Sequence, residues 1–122
     1  MTWTVQDIDE AAQKVLAEMG IDHKYDGPNI EFCMYQTCGQ PRCLVGHILA
    51  RLGVDMSQLG KYEGRNIIWT ANELKLDIES EAVCFLDDMQ VGQDFNATWG
   101  DALETARRMR DTDEKLWDKP IF

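Results

Sequence analysis

One helix with two unusual faces constrains the fold of this chain more than any other feature. The stretch 41–52, PRCLVGHILARL, has the apolar period of an α-helix. One face is a broad apolar stripe, and the other face carries mostly small residues: Cys43, Gly46, His47 and Ala50. A helix apolar on one side and small on the other is typical of a central element covered on both sides. We therefore expect neighbouring backbone, most directly the segment just before the helix, to pack against the small face.

Five further segments have helical periodicity. They are residues 5–19, a short turn after Asp55, residues 64–74 with Ile67, Ile68 and Ala71 facing inward, residues 78–91, and a last helix that follows Thr98. Thr4, Asp55 and Thr98 stand where helix N-caps are expected, because their side-chain oxygens accept hydrogen bonds from the free N–H groups of a first turn. Pro41 fits the first position of the central helix, where no N–H is needed.

A single strand is predicted between Ile30 and Thr37, where side chains alternate and aromatic residues are frequent. Its partner is expected around His23–Asp26. The fold class is therefore mainly α with a small β element, as a compact single domain of about six short helices around the central helix 41–52. We expect one domain over residues 1–122, with residues 111–122 loosely attached, because a chain of this length buries a core without disulfides or metal.

The charge of the chain is strongly negative and unevenly distributed. The formal net charge is −10, and the segment from Leu76 to Ala106 has eight acidic residues and no Lys, Arg or His. Such a surface repels nucleic-acid phosphates and attracts basic partners. The favoured interpretation is the solvated outer face of two amphipathic helices. The alternative is a surface that mimics DNA by placing carboxylates where phosphates would lie.

The sequence predicts a location in a cytoplasm without membrane contact. The longest apolar run, within CLVGHILA, is far shorter than a membrane span. The first ten residues have no basic region followed by an apolar one, so we expect no secretion signal. Four cysteines without export favour reduced thiols.

Three cysteines and one histidine form a cluster with the spacing C-x4-C-x4-C-x3-H: Cys33, Cys38, Cys43 and His47. One hypothesis is a structural zinc site, since Cys43 and His47 lie one turn apart, although the spacing is wider than in most such sites. A second is a cysteine-dependent enzyme in which His47 activates Cys43 near a helix N-terminus. The third, which we favour, is structural: cysteine is among the most frequently buried residue types, and Cys84 is a further small filler. On that interpretation no catalytic residue and no cofactor is expected.

Two segments resemble a known group of sequences. GQPRCLVGHILARLGV and, downstream, MQVGQDFNATWGDALETAR are similar to a family of short uncharacterised proteins of actinobacteria and their bacteriophages. The resemblance extends over most of residues 23–107. It implies a setting, a bacterial cytoplasm during phage infection, and it implies no catalytic residues.

These observations together predict a non-enzymatic, acidic, protein-binding domain that acts on a host or cellular protein and impairs host growth. The binding surface is expected on the acidic face of the last two helices or at an exposed aromatic side chain. The candidate partner-binding residues are Asp87, Asp88, Asp94, Trp69 and Trp99.

Overall fold

A computed structural model describes residues 2–24, 35–37, 40–62, 66–94 and 97–112 of the chain. Two short strands are described, β1 (Gln36–Thr37) and β2 (Gln40–Pro41), and a 3₁₀ turn covers Gly60–Tyr62. The α-helices are α1 (Val5–Met19), α2 (Leu44–Arg51), α3 (Met56–Leu59), α4 (Ile67–Glu73), α5 (Ser80–Asp94) and α6 (Trp99–Thr112). The predicted class, mainly α with a small β element and six short helices, is confirmed.

Helix α1 has the predicted bounds because both of its ends are specified locally. The Asp7 N–H donates to Thr4 Oγ1 at 3.2 Å, and the Thr4 N–H donates to Asp7 Oδ2 at 2.9 Å, which completes a capping box. At the other end Gly20 has a φ of +98°, which glycine adopts without the steric cost of a Cβ atom.

Helix α2 begins three residues later than predicted. Pro41 belongs to β2, and Cys43 is the N-cap of the helix. The prediction of a helix start at Pro41 was therefore wrong. The physical reason is that Pro41 pairs with Gln36 in an antiparallel ladder, in which its extended backbone is needed and its missing N–H is tolerated at an edge.

The small β element pairs differently from the expectation. Strand β1 pairs with β2, with Gln36 opposite Pro41 and Thr37 opposite Gln40. The predicted partner around His23–Asp26 was wrong for the described part of the strand, because β2 is much nearer in the sequence and closing a short loop costs less entropy than closing a long one. The rest of the predicted strand, residues 30–34, lies outside the described residues.

The caps predicted for the later helices are present. The Ser57 N–H donates to Asp55 Oδ1 at 2.9 Å, and the Asp101 N–H donates to Thr98 Oγ1 at 3.1 Å. A cap that sequence analysis did not identify is Asn66, whose Oδ1 accepts from the Trp69 N–H at 2.8 Å and starts α4.

The core is one contiguous cluster of apolar side chains from several helices. Helices α5 and α6 pack extensively against each other, and α1 and α2 both pack against α5. The largest fully buried side chains include Trp99, Tyr35, Phe85, Ile8, Leu44 and Ile48. Within the described residues, no helix combines the length and the apolar character that crossing a membrane requires.

The small face of α2 packs directly on backbone, as predicted. A Cβ atom at Gly46 would overlap the carbonyl oxygen of Tyr35, so only glycine permits this approach. The same carbonyl accepts from the Arg42 N–H at 2.9 Å. Gly100 provides a second close approach, because a Cβ there would lie 2.7 Å from the Ile21 carbonyl oxygen.

An ion-pair cluster ties α6 to α1. Arg107 donates to both carboxylate oxygens of Asp9, with the shortest distance 2.6 Å from Nη2 to Oδ1, and Arg110 Nη1 lies 3.7 Å from Oδ2. Burial raises the pKa of Asp9, but the hydrogen bonds from Arg107 and Gln13 and the two arginine charges outweigh burial, so its pKa is below the ordinary value.

The first prediction concerns Gly46. Gly46→Ala forces a methyl group into the Tyr35 carbonyl and should destabilise the protein by about 2 kcal/mol or more. Helix propensity alone predicts the opposite sign, a gain of up to ~1 kcal/mol. Urea denaturation measures the difference in the free energy of unfolding between the variant and the wild type. Ala50→Gly, one turn further along α2, measures the effect of helix propensity in the same helix and is the control. A more stable Gly46→Ala protein would contradict the close approach.

The second prediction concerns the pH dependence of Asp9. A lowered folded-state pKa means that the ionised form stabilises the protein above the unfolded value of 3.8, and that this contribution is lost as pH falls through the folded value. Asp9→Asn should cost about 1–2 kcal/mol at pH 7 and less at pH 3. Denaturation at both pH values checks this, with Glu104→Gln as an exposed control. An equal loss at both pH values would show that charge is not the cause.

Candidate functional site

A groove of about 560 Å³ lies between α4 and α5. Its floor and walls are largely apolar, with a few polar groups. The lining residues used below are Ile68, Trp69, Leu76, Ile78, Val83 and Cys84. The volume lies within the roughly 300–1,000 Å³ typical of ligand sites.

The floor of the groove is fixed by the start of the chain. The Trp3 N–H donates to the Asp77 carbonyl at 2.9 Å, and the Glu79 N–H donates to the Trp3 carbonyl at 3.0 Å, forming an isolated parallel bridge between Trp3 and Ile78. Trp3 itself packs against the core. The segment between α4 and α5 is therefore held in place by backbone hydrogen bonds.

Two large apolar side chains on α4 remain open to solvent at this groove. Ile68 is 46% exposed and Trp69 is 41% exposed. The prediction that Trp69 points away from the apolar stripe agrees with this exposure. The assignment of Ile68 to the inward stripe was wrong, because α4 buries Ile67, Thr70 and Ala71 and turns Ile68 outward.

Exposed acidic residues follow lining residues of the groove in the sequence. Glu73, one turn after Trp69 on α4, is exposed, as are Asp77, Glu79 and Glu81. Lys75 is the one Lys, Arg or His among the residues that the structure describes between Asn66 and Asp94. The apolar surface therefore lies within a field of negative charge.

The acidic residues of α5 that were predicted to bind a partner differ in their exposure to solvent. Asp87 is half-buried on the outer side of α5. Asp88 is only 7% exposed, so the expectation of a solvated Asp88 was wrong; the extensive packing of α6 on α5 covers it. Asp94 ends α5, and its side chain lies outside the described residues.

Trp99 does not form part of an exposed surface. Its side chain is fully buried at the start of α6, so the expectation that it contacts a partner does not fit its position. Its ring is in edge contact with His23, at 4.3 Å between centroids, and in tilted contact with His47 at 5.3 Å. Within the described part of the chain, His23 Nε2, Gln93 Nε2 and Trp99 Nε1 are buried without a hydrogen-bond partner.

Cys43 occupies a structural position at the N-terminus of α2. Its sulfur accepts a hydrogen bond from the Gly46 N–H at 3.2 Å, and the Leu44 N–H donates to Gln93 Oε1 at 2.7 Å. Two of the free donors of the first turn are thereby satisfied from inside the core. Cys43 has no exposed surface, and His47, one turn later, is half-buried.

This geometry bears on the chemistry available to the cluster. A nucleophile must reach its substrate, and the buried Cys43 sulfur acts here as a helix cap. The remaining ligands of the zinc hypothesis, Cys33 and Cys38, lie outside the described residues. Among the residues that are described, no group of three or more His, Cys, Asp or Glu side chains is arranged to hold a metal ion.

Two residues of the groove were missed because their periodicity is ambiguous. Cys84 was expected to be a buried filler, but it is exposed on the outer side of α5. Ile68 follows Ile67 directly, and adjacent apolar residues on a helix face directions about 100° apart, so only one of the two can be central to the core. The sequence did offer one signal for the exposure of Ile68, because the next residue, Trp69, was already predicted to point away from the apolar stripe.

The third prediction uses the two described cysteines. Cys84 should react with a water-soluble maleimide within minutes at pH 7, whereas Cys43 should react only as fast as the protein opens, because its sulfur is buried. Peptide mass spectrometry follows each thiol separately, and labelling in guanidinium, where the two should react alike, is the control. Equal rates in the native protein would contradict the burial of Cys43.

We found no match to this chain among protein-family models, curated proteins or solved structures.

Proposed function

We propose that the chain is a non-enzymatic domain that binds another protein. The observation that carries this proposal is the exposure of Ile68 and Trp69 in a segment that is rich in exposed acidic residues. Exposed tryptophans that adjoin apolar concavities are frequent centres of protein–protein contacts. Acidic side chains around such a centre speed the approach of a basic partner and select against acidic ones.

The state of the cysteine–histidine cluster supports a binding role over a catalytic one. Cys43 caps α2 from within the core, and His47 contacts the ring of Trp99. Both side chains thus have packing roles that account for their presence in the sequence without a reaction.

The family resemblance suggests the setting of this function. In this setting the chain acts in the cytoplasm of an actinobacterial host, and the protein that it binds is a host protein. Occupation of that protein by an overproduced competitor would impair growth, because binding reduces the free fraction of the partner by mass action.

The fourth prediction tests this proposal by affinity capture. The immobilised chain should retain a specific protein from actinobacterial lysate, and elution with salt should release it, since exposed charges are screened at high ionic strength. Reversing two exposed charges, Glu81→Lys with Glu104→Lys, should reduce the retained amount about tenfold. The matched control is Glu10→Lys with Asp22→Lys, which changes the net charge equally at two exposed positions on α1 and just after it.

Growth of the host on overproduction provides an independent readout. Wild-type chain should slow growth, and the charge reversal on α5 and α6 should relieve this effect while the control pair at α1 does not. Absence of any retained protein, together with normal growth of the overproducing host, would overturn the proposal.

A further inference from the structure

The groove between α4 and α5 has a largely apolar lining, and four exposed acidic residues directly follow lining residues in the sequence; these four, Glu73, Asp77, Glu79 and Glu81, are called its rim below. We propose that it is the docking site for a basic amphipathic helix of the partner protein, with apolar side chains entering the groove and Lys or Arg side chains along the rim. This inference rests on the proposed binding function and specifies its surface and the chemistry of its ligand.

The apolar part of the groove provides the anchor. Ile68 and Trp69 form one wall, and Leu76, Ile78 and Val83 form the floor and the opposite wall. Burying the exposed parts of Ile68 and Trp69 requires an occupant that contributes apolar surface of its own. Large aromatic side chains in such positions commonly account for about 2 kcal/mol or more, roughly thirtyfold in affinity, when truncated at interfaces.

The rim determines the charge of the occupant. From Asn66 to Asp94 the chain has seven acidic residues and one lysine. Four of the acids, Glu73, Asp77, Glu79 and Glu81, are exposed, and each directly follows a lining residue in the sequence. An acidic or neutral occupant would face repulsion or gain nothing from this field, whereas Lys and Arg side chains are attracted by the negative charge of the segment.

The length of the groove matches a helical row of side chains. The α4 wall runs from Asn66 to Asn72, a rise of about 9 Å. Apolar residues at positions i, i+4 and i+7 of a ligand helix span about 10 Å. An amphipathic helix in a groove between two helices is also a recurrent mode of peptide recognition.

The experiment measures binding of a defined probe to the full chain and three of its variants. The probe is a fluorescent amphipathic peptide of leucine and lysine, about 14 residues or four turns long, measured by anisotropy at near-physiological salt. Two reference peptides accompany it: the same composition reordered to have no apolar face, and an amphipathic leucine–glutamate peptide.

The variants separate the groove from general charge attraction. Trp69→Lys and Ile68→Lys each replace an exposed apolar side chain of the groove by a cation. Met19→Lys is the matched control, because Met19 is 37% exposed at the end of α1 and does not line the groove. Circular dichroism checks that each variant is folded, as expected for substitutions at exposed positions.

The expected result is that both groove variants weaken binding of the leucine–lysine peptide by about tenfold or more, while Met19→Lys changes it by less than about twofold. The reordered and acidic peptides should bind at least about tenfold more weakly to the wild-type chain. Equal weakening by Trp69→Lys and Met19→Lys, or equal binding of the reordered peptide, would overturn the inference, because it would show charge attraction without a groove.

A parallel arm uses the same proteins as baits in host lysate. Loss of the retained protein with Trp69→Lys and its retention with Met19→Lys agree with the inference. A protein retained equally by Trp69→Lys and the wild type would overturn the groove as the docking site while leaving the binding function standing. If neither bait retains any protein, the proposed function fails, and the inference fails with it.

Discussion

The contact between Gly46 and the Tyr35 carbonyl is the constraint on which the rest of this structure depends. Because no Cβ intervenes, α2 approaches the preceding segment closely enough to be covered on that side by backbone. Its other side is covered by α1 and α5. The first turn is then capped internally by Cys43 and Gln93, so the helix needs no solvent at its N-terminus. A larger residue at position 46 would separate these layers.

This central placement determines what the outer helices are free to do. Trp99 is buried in the core, where the rings of the two half-buried histidines contact it, and α1, α2, α5 and α6 supply most of the other core side chains. Helix α4 is shorter and buries only part of its surface, which leaves Ile68 and Trp69 exposed. The acidic charge is concentrated beside them, where it does not oppose the core and instead shapes the field around the groove. The groove therefore forms where α4, which contributes little to the core, meets the helices that build the core.

Much of the fold could be predicted from the sequence because its signals are local. The bounds of α1 follow from Thr4 and Gly20, and the caps at Asp55 and Thr98 follow from single side chains. The late start of α2 could not be predicted in this way, because Pro41 fits a first helical turn and a strand edge equally well and only the pairing with Gln36 decides between them.

The candidate site was less predictable, since it depends on which helix covers which. The exposure of Trp69 follows from the phase of α4, but the exposure of Ile68 and Cys84 and the burial of Asp88 and Trp99 depend on tertiary contacts. In each of these four cases the sequence pattern alone did not decide whether the side chain faces the core or the solvent. The packing of α4, α5 and α6 decided it.

The most direct test of this account is amide hydrogen exchange of the chain, free and with the leucine–lysine peptide bound. The account predicts that α2 exchanges as slowly as the protein unfolds in both states, because it is covered on both faces. It predicts that the peptide adds protection within residues 66–84 alone. Fast exchange in α2 would contradict the claim that this helix is covered on both faces. Added protection centred on Cys43 and His47 would contradict the claim that the peptide binds in the groove between α4 and α5.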